Sequence, residues 1–167
     1  MSCVVPFYGE ARNGENYLIF GYGSRGTLRE AAENHLDVET CRKITIELAF
    51  GLAYLHMTGS KPCSVSPDHV SICWDYHIHL TDFDEQEKVI NCTPEQIDAT
   101  NLGIVLHTLT TGESISASSL NSKEIPSSYG PVSNVFELCK KPDMTICDIV
   151  SEILNDKGFN QESDLIY

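Results

Sequence analysis

Cys41, Ile44, Leu48, Leu52 and Leu55 recur at steps of three and four, the spacing that lines one face of an α-helix. Asp37 stands before the run as an N-cap, with Glu39 in the first turn, so the pattern predicts a helix over 38–57, about 30 Å long at its helical rise. Ile46, Ala49 and Ala53 widen the apolar stripe and predict burial on more than one side, as befits a central core helix. Ile97, Leu102, Val105, Leu106 and Leu109 predict a second helix over 96–111, with Gly112 to end it. A third follows from Ile146, Ile149, Val150, Ile153 and Leu154, introduced by Thr145 and Asp148 at capping-box spacing.

Shorter runs carry a period of two. Residues 3–8 and 17–22 are β-branched and aromatic, and the loop between them holds Asn13-Gly14, whose residues tolerate the positive φ of a hairpin turn. A second hairpin is predicted from 70–73 and 77–80, joined at Trp74-Asp75, with Ile78 and Leu80 inward and His77 and His79 outward. Between the hairpins, Thr27 and Glu30 have capping-box spacing before Ala31-Ala32 and predict a short helix. The Ser/Pro/Gly-rich stretch 114–133 reads mostly as loop, and the tail after Asp156 as frayed. The expectation is one α+β domain over 1–156, mostly helical behind an N-terminal β-hairpin, with a flexible tail over 157–167.

Composition narrows the function classes. The chain has 167 residues, of which 41% are hydrophobic and 21% charged, enough to build a core and too apolar for disorder. No run approaches the ~18 apolar residues of a membrane span. Acidic residues number 24 against 11 basic, a formal charge of −13, which repels phosphate backbones and anionic membranes and argues against both as partners. The opening residues lack a basic stretch followed by a signal-peptide apolar run, so a cytoplasmic location is expected. Seven cysteines without a C-x-x-C pair fit a reducing compartment, where most act as small buried hydrophobes. Cys41, Cys139 and Cys147 are expected in the core and Cys3 at the surface. The Asn91-Cys92-Thr93 sequon would then never meet the glycosylation machinery.

Several short motifs fall in a telling order. Tyr17–Phe20 and Gly26-Thr27-Leu28 are followed by Gly51-Leu52-Ala53-Tyr54-Leu55-His56 at the end of the long helix. Ser66-Pro67-Asp68-His69-Val70, then Asp82-Phe83-Asp84, then Thr93-Pro94-Glu95 complete the series. This order resembles the protein kinase fold from its fourth strand onward, over about residues 3–156. The hairpin looks like the strands that end at the hinge, and Gly51–His56 is similar to the Gly-Leu-x-Tyr-Leu-His that closes the long helix of many kinases. Asp82-Phe83-Asp84 falls where Asp-Phe-Gly belongs.

The same resemblance implies that catalysis has been lost. Kinases need a catalytic-loop Asp as base, a Lys two positions on and a metal-holding Asn three further on; these positions read Ser64, Ser66 and His69. A serine is no base near neutral pH, a second serine carries no charge for phosphate, and imidazole is a poor ligand for hard Mg²⁺. The Gly-rich phosphate loop, the strand Lys and its Glu-bearing helix would lie before residue 1 and are expected to be missing. Asp82 remains as the one candidate for metal, but a lone carboxylate binds Mg²⁺ weakly, so no metal and no cofactor are expected. Only about ten residues separate Asp82 from Thr93, which implies a shortened activation segment. Glu95 resembles a Glu that pairs with a buried Arg, for which Lys141-Pro142 is the nearest equivalent. Gly26–Glu30 and the short segment are similar to pseudokinases of the tyrosine-kinase-like branch, in particular the mixed-lineage-kinase-domain-like group, whose shortened viral versions act as decoys for receptor-interacting kinases.

Two further side-chain groupings have plainer readings. Cys73, His77, His79 and Asp82 could be drawn together around a metal, since His77 and His79 share one strand face, but the period of two also puts Ile78 and Leu80 on the core side and the histidines toward solvent. The acids at 84–87 read as a solvated turn. His56 closes the long helix as a core or capping residue in preference to a catalytic base. The hairpin is more informative, because two strands alone are marginal and an unpaired edge is a template for pairing. Val5, Phe7, Leu18, Ile19 and Phe20 must pack back on the helices or meet another chain. The sequence thus points to an inactive pseudokinase that binds a signalling kinase or a kinase-associated protein. The alternatives are a residual nucleotide- or metal-dependent phosphotransferase using Asp82 with His69, and an incomplete kinase copy without a function of its own.

Overall fold

A computed structural model describes residues 6–12, 16–21, 23–81 and 93–159. Strands β1 (Phe7–Arg12) and β2 (Asn16–Phe20) form an antiparallel hairpin. Helix α1 spans Leu28–Ala32 and α2 Val38–Met57; β3 (Val70–Ile72) and β4 (Ile78–Leu80) form a second antiparallel pair. Helices α3 (Pro94–Thr111), α4 (Pro131–Cys139) and α5 (Ile146–Asn155) follow, with two short 3₁₀ turns, Ala117–Ser122 and Ser127–Tyr129, between α3 and α4. The result is a mixed α+β protein in which helices dominate.

The core is organised around α2. Cys41, Ile44, Leu48, Ala49 and Leu52 are sealed from solvent and meet Leu102, Val105 and Leu106 of α3, Phe136 of α4 and Ile146 and Ile149 of α5. Capping fixes where these helices start. Thr27, Thr93 and Thr145 each form a complete capping box, with Glu30, Gln96 and Asp148 respectively, while the Asp37 side chain accepts from the Thr40 amide to open α2. Gly112 closes α3 at φ 74°, a left-handed conformation that costs other residues a steric clash.

The small β3–β4 pair lies over the core through Val70, Ile72, Ile78 and Leu80, while His77 and His79 on the other face are half-buried. The segment before α1 extends this sheet edge: Arg25 N–H donates to the Ile72 carbonyl and Ile72 N–H to that of Gly26, both at 2.9 Å. Gly23 is required there, since a Cβ would stand 2.5 Å from the Ser71 Cβ.

The structure shifts several boundaries. The first strand runs over 7–12 in place of the expected 3–8; residues 1–5 lie outside the described residues. Exposed Glu10, Ala11 and Arg12 continue the ladder opposite Leu18, Tyr17 and Asn16, and a bulge between Phe7 and Gly9 puts Gly9 at φ 140°. Within the stretch expected to be loop, Leu120 and Ile125 are buried and α4 begins at Pro131. Its apolar face, Val132, Val135, Phe136 and Cys139, was masked by the Ser, Pro and Gly residues before it. Cys147 is exposed, because it lies on the opposite side of α5 from Ile146, Ile149 and Ile153. Leu154, expected on that apolar face, is also exposed. The chain stays packed past Asp156: the Gly158 carbonyl accepts from Arg42 Nη1 at 2.8 Å and Phe159 is buried.

Candidate functional site

The loop between α2 and β3 carries Ser64, Ser66 and His69. It leaves α2 at Thr58, whose N–H stays bonded to the Tyr54 and Leu55 carbonyls, and buries Pro62, Val65 and Pro67. His69 ties the loop into a closed ring. Its N–H donates to the Ser66 carbonyl at 3.0 Å, its Nδ1–H donates to the Ser64 carbonyl at 2.8 Å, and its own carbonyl accepts from the Thr81 N–H at 2.8 Å and hydroxyl at 3.1 Å. The three positions therefore lie side by side, with the imidazole proton committed to a backbone carbonyl.

Two ion pairs hold this loop from outside. Arg29 of α1 grips Asp68 with two parallel bonds of 2.6 and 2.7 Å, and its third nitrogen donates to the Ser114 hydroxyl. The fork geometry suits a carboxylate better than a lysine could, and the Arg29 bond holds the Asp68 carboxyl below its ordinary range. On the far side Lys61 pairs with Glu95 at 2.5 Å and lowers the Glu95 carboxyl in the same way. Glu95 thus takes Lys61, not Lys141; the carbonyl of Pro142, next to Lys141, instead accepts from Gln96 Nε2 at 2.9 Å.

Beneath the loop lies a buried polar pair. His56 Nε2 and Asp98 Oδ2 are 2.7 Å apart, with side-chain exposures of 4% and 0%. His56 is therefore the core histidine the sequence suggested. Asn101, one turn after Asp98, donates to the Cys63 carbonyl at 3.0 Å, and Cys63 adopts φ 54° while its thiol donates to the Pro94 carbonyl at 3.9 Å. Burial, with Asp98 and Glu95 nearby, pushes the Cys63 thiol up to about 11, whereas a nucleophilic cysteine needs a depressed value.

Asp82, Phe83 and Asp84 lie outside the described residues, as do the acids at 85–87, Cys3 and Val5. Among the described residues no group of three or more His, Cys, Asp or Glu side chains is placed to hold a metal; Cys73 and His79 approach to 3.7 Å, while His77 turns to Glu47. On the hairpin, Phe7 is 54% exposed and sits opposite Phe20, with Tyr8 and Tyr17 also exposed. Leu18, Ile19 and Phe20 have their backbone in β2; their side chains lie outside what is described. Both hairpin strands pair only with each other among the described residues.

No sequence motif gives Arg29, Asp98 or Asn101 a role of its own. Asp98 had a signal: it is an acid inside the apolar run of α3, and such a residue is buried only with a partner. Arg29 gave none, since its partner is 39 positions away. No known family model matches the chain, and no curated protein matches it. No helix among the described residues is long and apolar enough to cross a membrane.

Proposed function

We propose that this chain is a pseudokinase-like interaction module that binds a signalling kinase or a kinase-associated protein and competes for its contacts without transferring phosphate. One observation carries the reading. At the three positions where the resemblance calls for a base, a phosphate-neutralising lysine and a metal-holding asparagine, the chain has Ser64, Ser66 and His69, and their loop is braced by its own backbone. The His69 ring proton goes to the Ser64 carbonyl, and Asp68 is held by Arg29, so the polar groups of this segment serve the shape of the loop. The exposed aromatics of the hairpin supply further support, because apolar side chains on strands that pair, among the described residues, only with each other suit a protein partner.

Affinity purification with mass spectrometry, run in parallel on the wild type, Phe7→Lys and Ile19→Lys, tests the proposal. It expects a kinase or kinase-associated protein that both substitutions release while the melting temperature holds. Loss of melting temperature with no selective loss of that protein would remove the hairpin as the contact surface.

A further inference from the structure

A second site lies away from both the braced loop and the hairpin. His107 of α3 is 2% exposed and lines a cavity of about 530 Å³ between the end of α3 and the segment 123–127, within the size range of small-molecule sites. Its tautomer is fixed by its neighbours. Nδ1 lies 3.2 Å from the Glu113 carbonyl and 3.3 Å from the Thr111 hydroxyl oxygen. Thr111 gives its proton to the His107 carbonyl at 2.7 Å, so both groups facing Nδ1 are acceptors and Nδ1 must carry the hydrogen. The other nitrogen, Nε2, has a free lone pair in the neutral ring, makes no hydrogen bond within the described residues and is not sealed off.

The remaining walls select the charge of what could meet that lone pair. Ile125 and Pro126 give an apolar side. Glu113 and Glu124 carry carboxylates, against one amine, Lys123, which already faces Glu113 at 3.7 Å. Glu124 has no partner among the described residues. We infer that this cavity binds an alkylguanidinium or alkylammonium group: one N–H donates to His107 Nε2, the positive charge faces Glu124, and the hydrocarbon lies on Ile125 and Pro126. An anion would meet two carboxylates and an acceptor nitrogen, and a neutral hydrocarbon would strand the lone pair. The group could arrive as a free amine or as the side chain of an Arg-bearing protein segment.

Long-range ¹H–¹⁵N NMR of the histidine rings reads this directly in the full chain, with butylguanidinium, a capped Gly-Arg-Gly peptide, butyrate and Zn²⁺ as separate probes. The free protein should show His107 as the Nδ1–H tautomer, and butylguanidinium should move its Nε2 resonance in a saturable way. Glu124→Gln, an exposed substitution that leaves the core alone, should weaken that binding about five- to tenfold, the loss of one charge-assisted contact. His107→Phe should abolish it. A tighter response to the peptide assigns the group to a protein segment, and a tighter response to butylguanidinium to a free ligand. An Nε2–H tautomer, a response to butyrate or Zn²⁺ in place of the cation, or an affinity unchanged by Glu124→Gln would each overturn the assignment.

Discussion

At the residue scale, the Arg29–Asp68 pair shows how a polar contact fixes a loop. Asp68 and Arg29 side chains are 52% and 36% exposed, so their attraction is screened and its worth lies in geometry more than in energy. The sign of its pH dependence follows from the lowered carboxyl. Asp37, Asp68, Glu95 and Asp148 are all held below their ordinary values by hydrogen bonds or ion pairs. Each therefore contributes stability above the unfolded carboxylate range, about 4, and loses it as the pH falls through the lower folded value. The melting temperature should hold from neutral pH down to that range and drop below it, and Asp68→Asn should flatten part of the drop. A wild-type curve that rises on acidification would contradict this. Cysteine chemistry gives a second residue-scale outcome. Cys147 is exposed, whereas burial raises the Cys41 thiol to about 12 and that of Cys139 further still. Mapping alkylated sites by mass spectrometry should find Cys147 modified in the native protein and Cys41 and Cys139 only after unfolding.

At the element scale, α2 is the piece on which the other helices converge. Leu48 and Leu52 are fully buried on it, and an aspartate at either place would put an unpaired charge among α3, α4 and α5. Leu48→Asp and Leu52→Asp should each abolish cooperative melting, a loss beyond the usual range for a single substitution. The helix caps provide a graded contrast: Thr93→Ala removes one capping bond and should cost about 1 kcal/mol by chemical denaturation, leaving the fold intact. Elements with strong local signals were legible from sequence, which is why α2 is found at 38–57 and the capping boxes of α1 and α5 where their Thr-x-x-acid spacing put them. Helix α4 was not, because Gly130 and Pro131 read as loop residues although Pro at the first helical position is compatible with a helix start. The extension of β1 through Glu10–Arg12 was hidden for a related reason: its side chains are exposed, so no hydrophobic alternation marks it.

At the scale of the whole molecule, the sequence placed Ser64, Ser66 and His69 in one loop and identified His56 as core, but not the contacts that tie these residues down. Asp98 beneath His56, Asn101 on Cys63 and Arg29 on Asp68 are long-range pairs, and a single sequence shows no sign of which distant residues meet. Those pairs support the proposal that this loop serves as a structural brace and does not transfer phosphate. A thermal-shift titration with ATP and Mg²⁺ or Mn²⁺ tests that claim most directly. Ligand at ~100 times its dissociation constant stabilises a protein by ~2.7 kcal/mol, roughly 5–10 °C for a chain of this size. No saturable shift is expected with either metal, and no labelled phosphate transferred to the protein or to a generic substrate. A saturable shift, or phosphate transfer, abolished by Asp82→Ala would contradict the proposal.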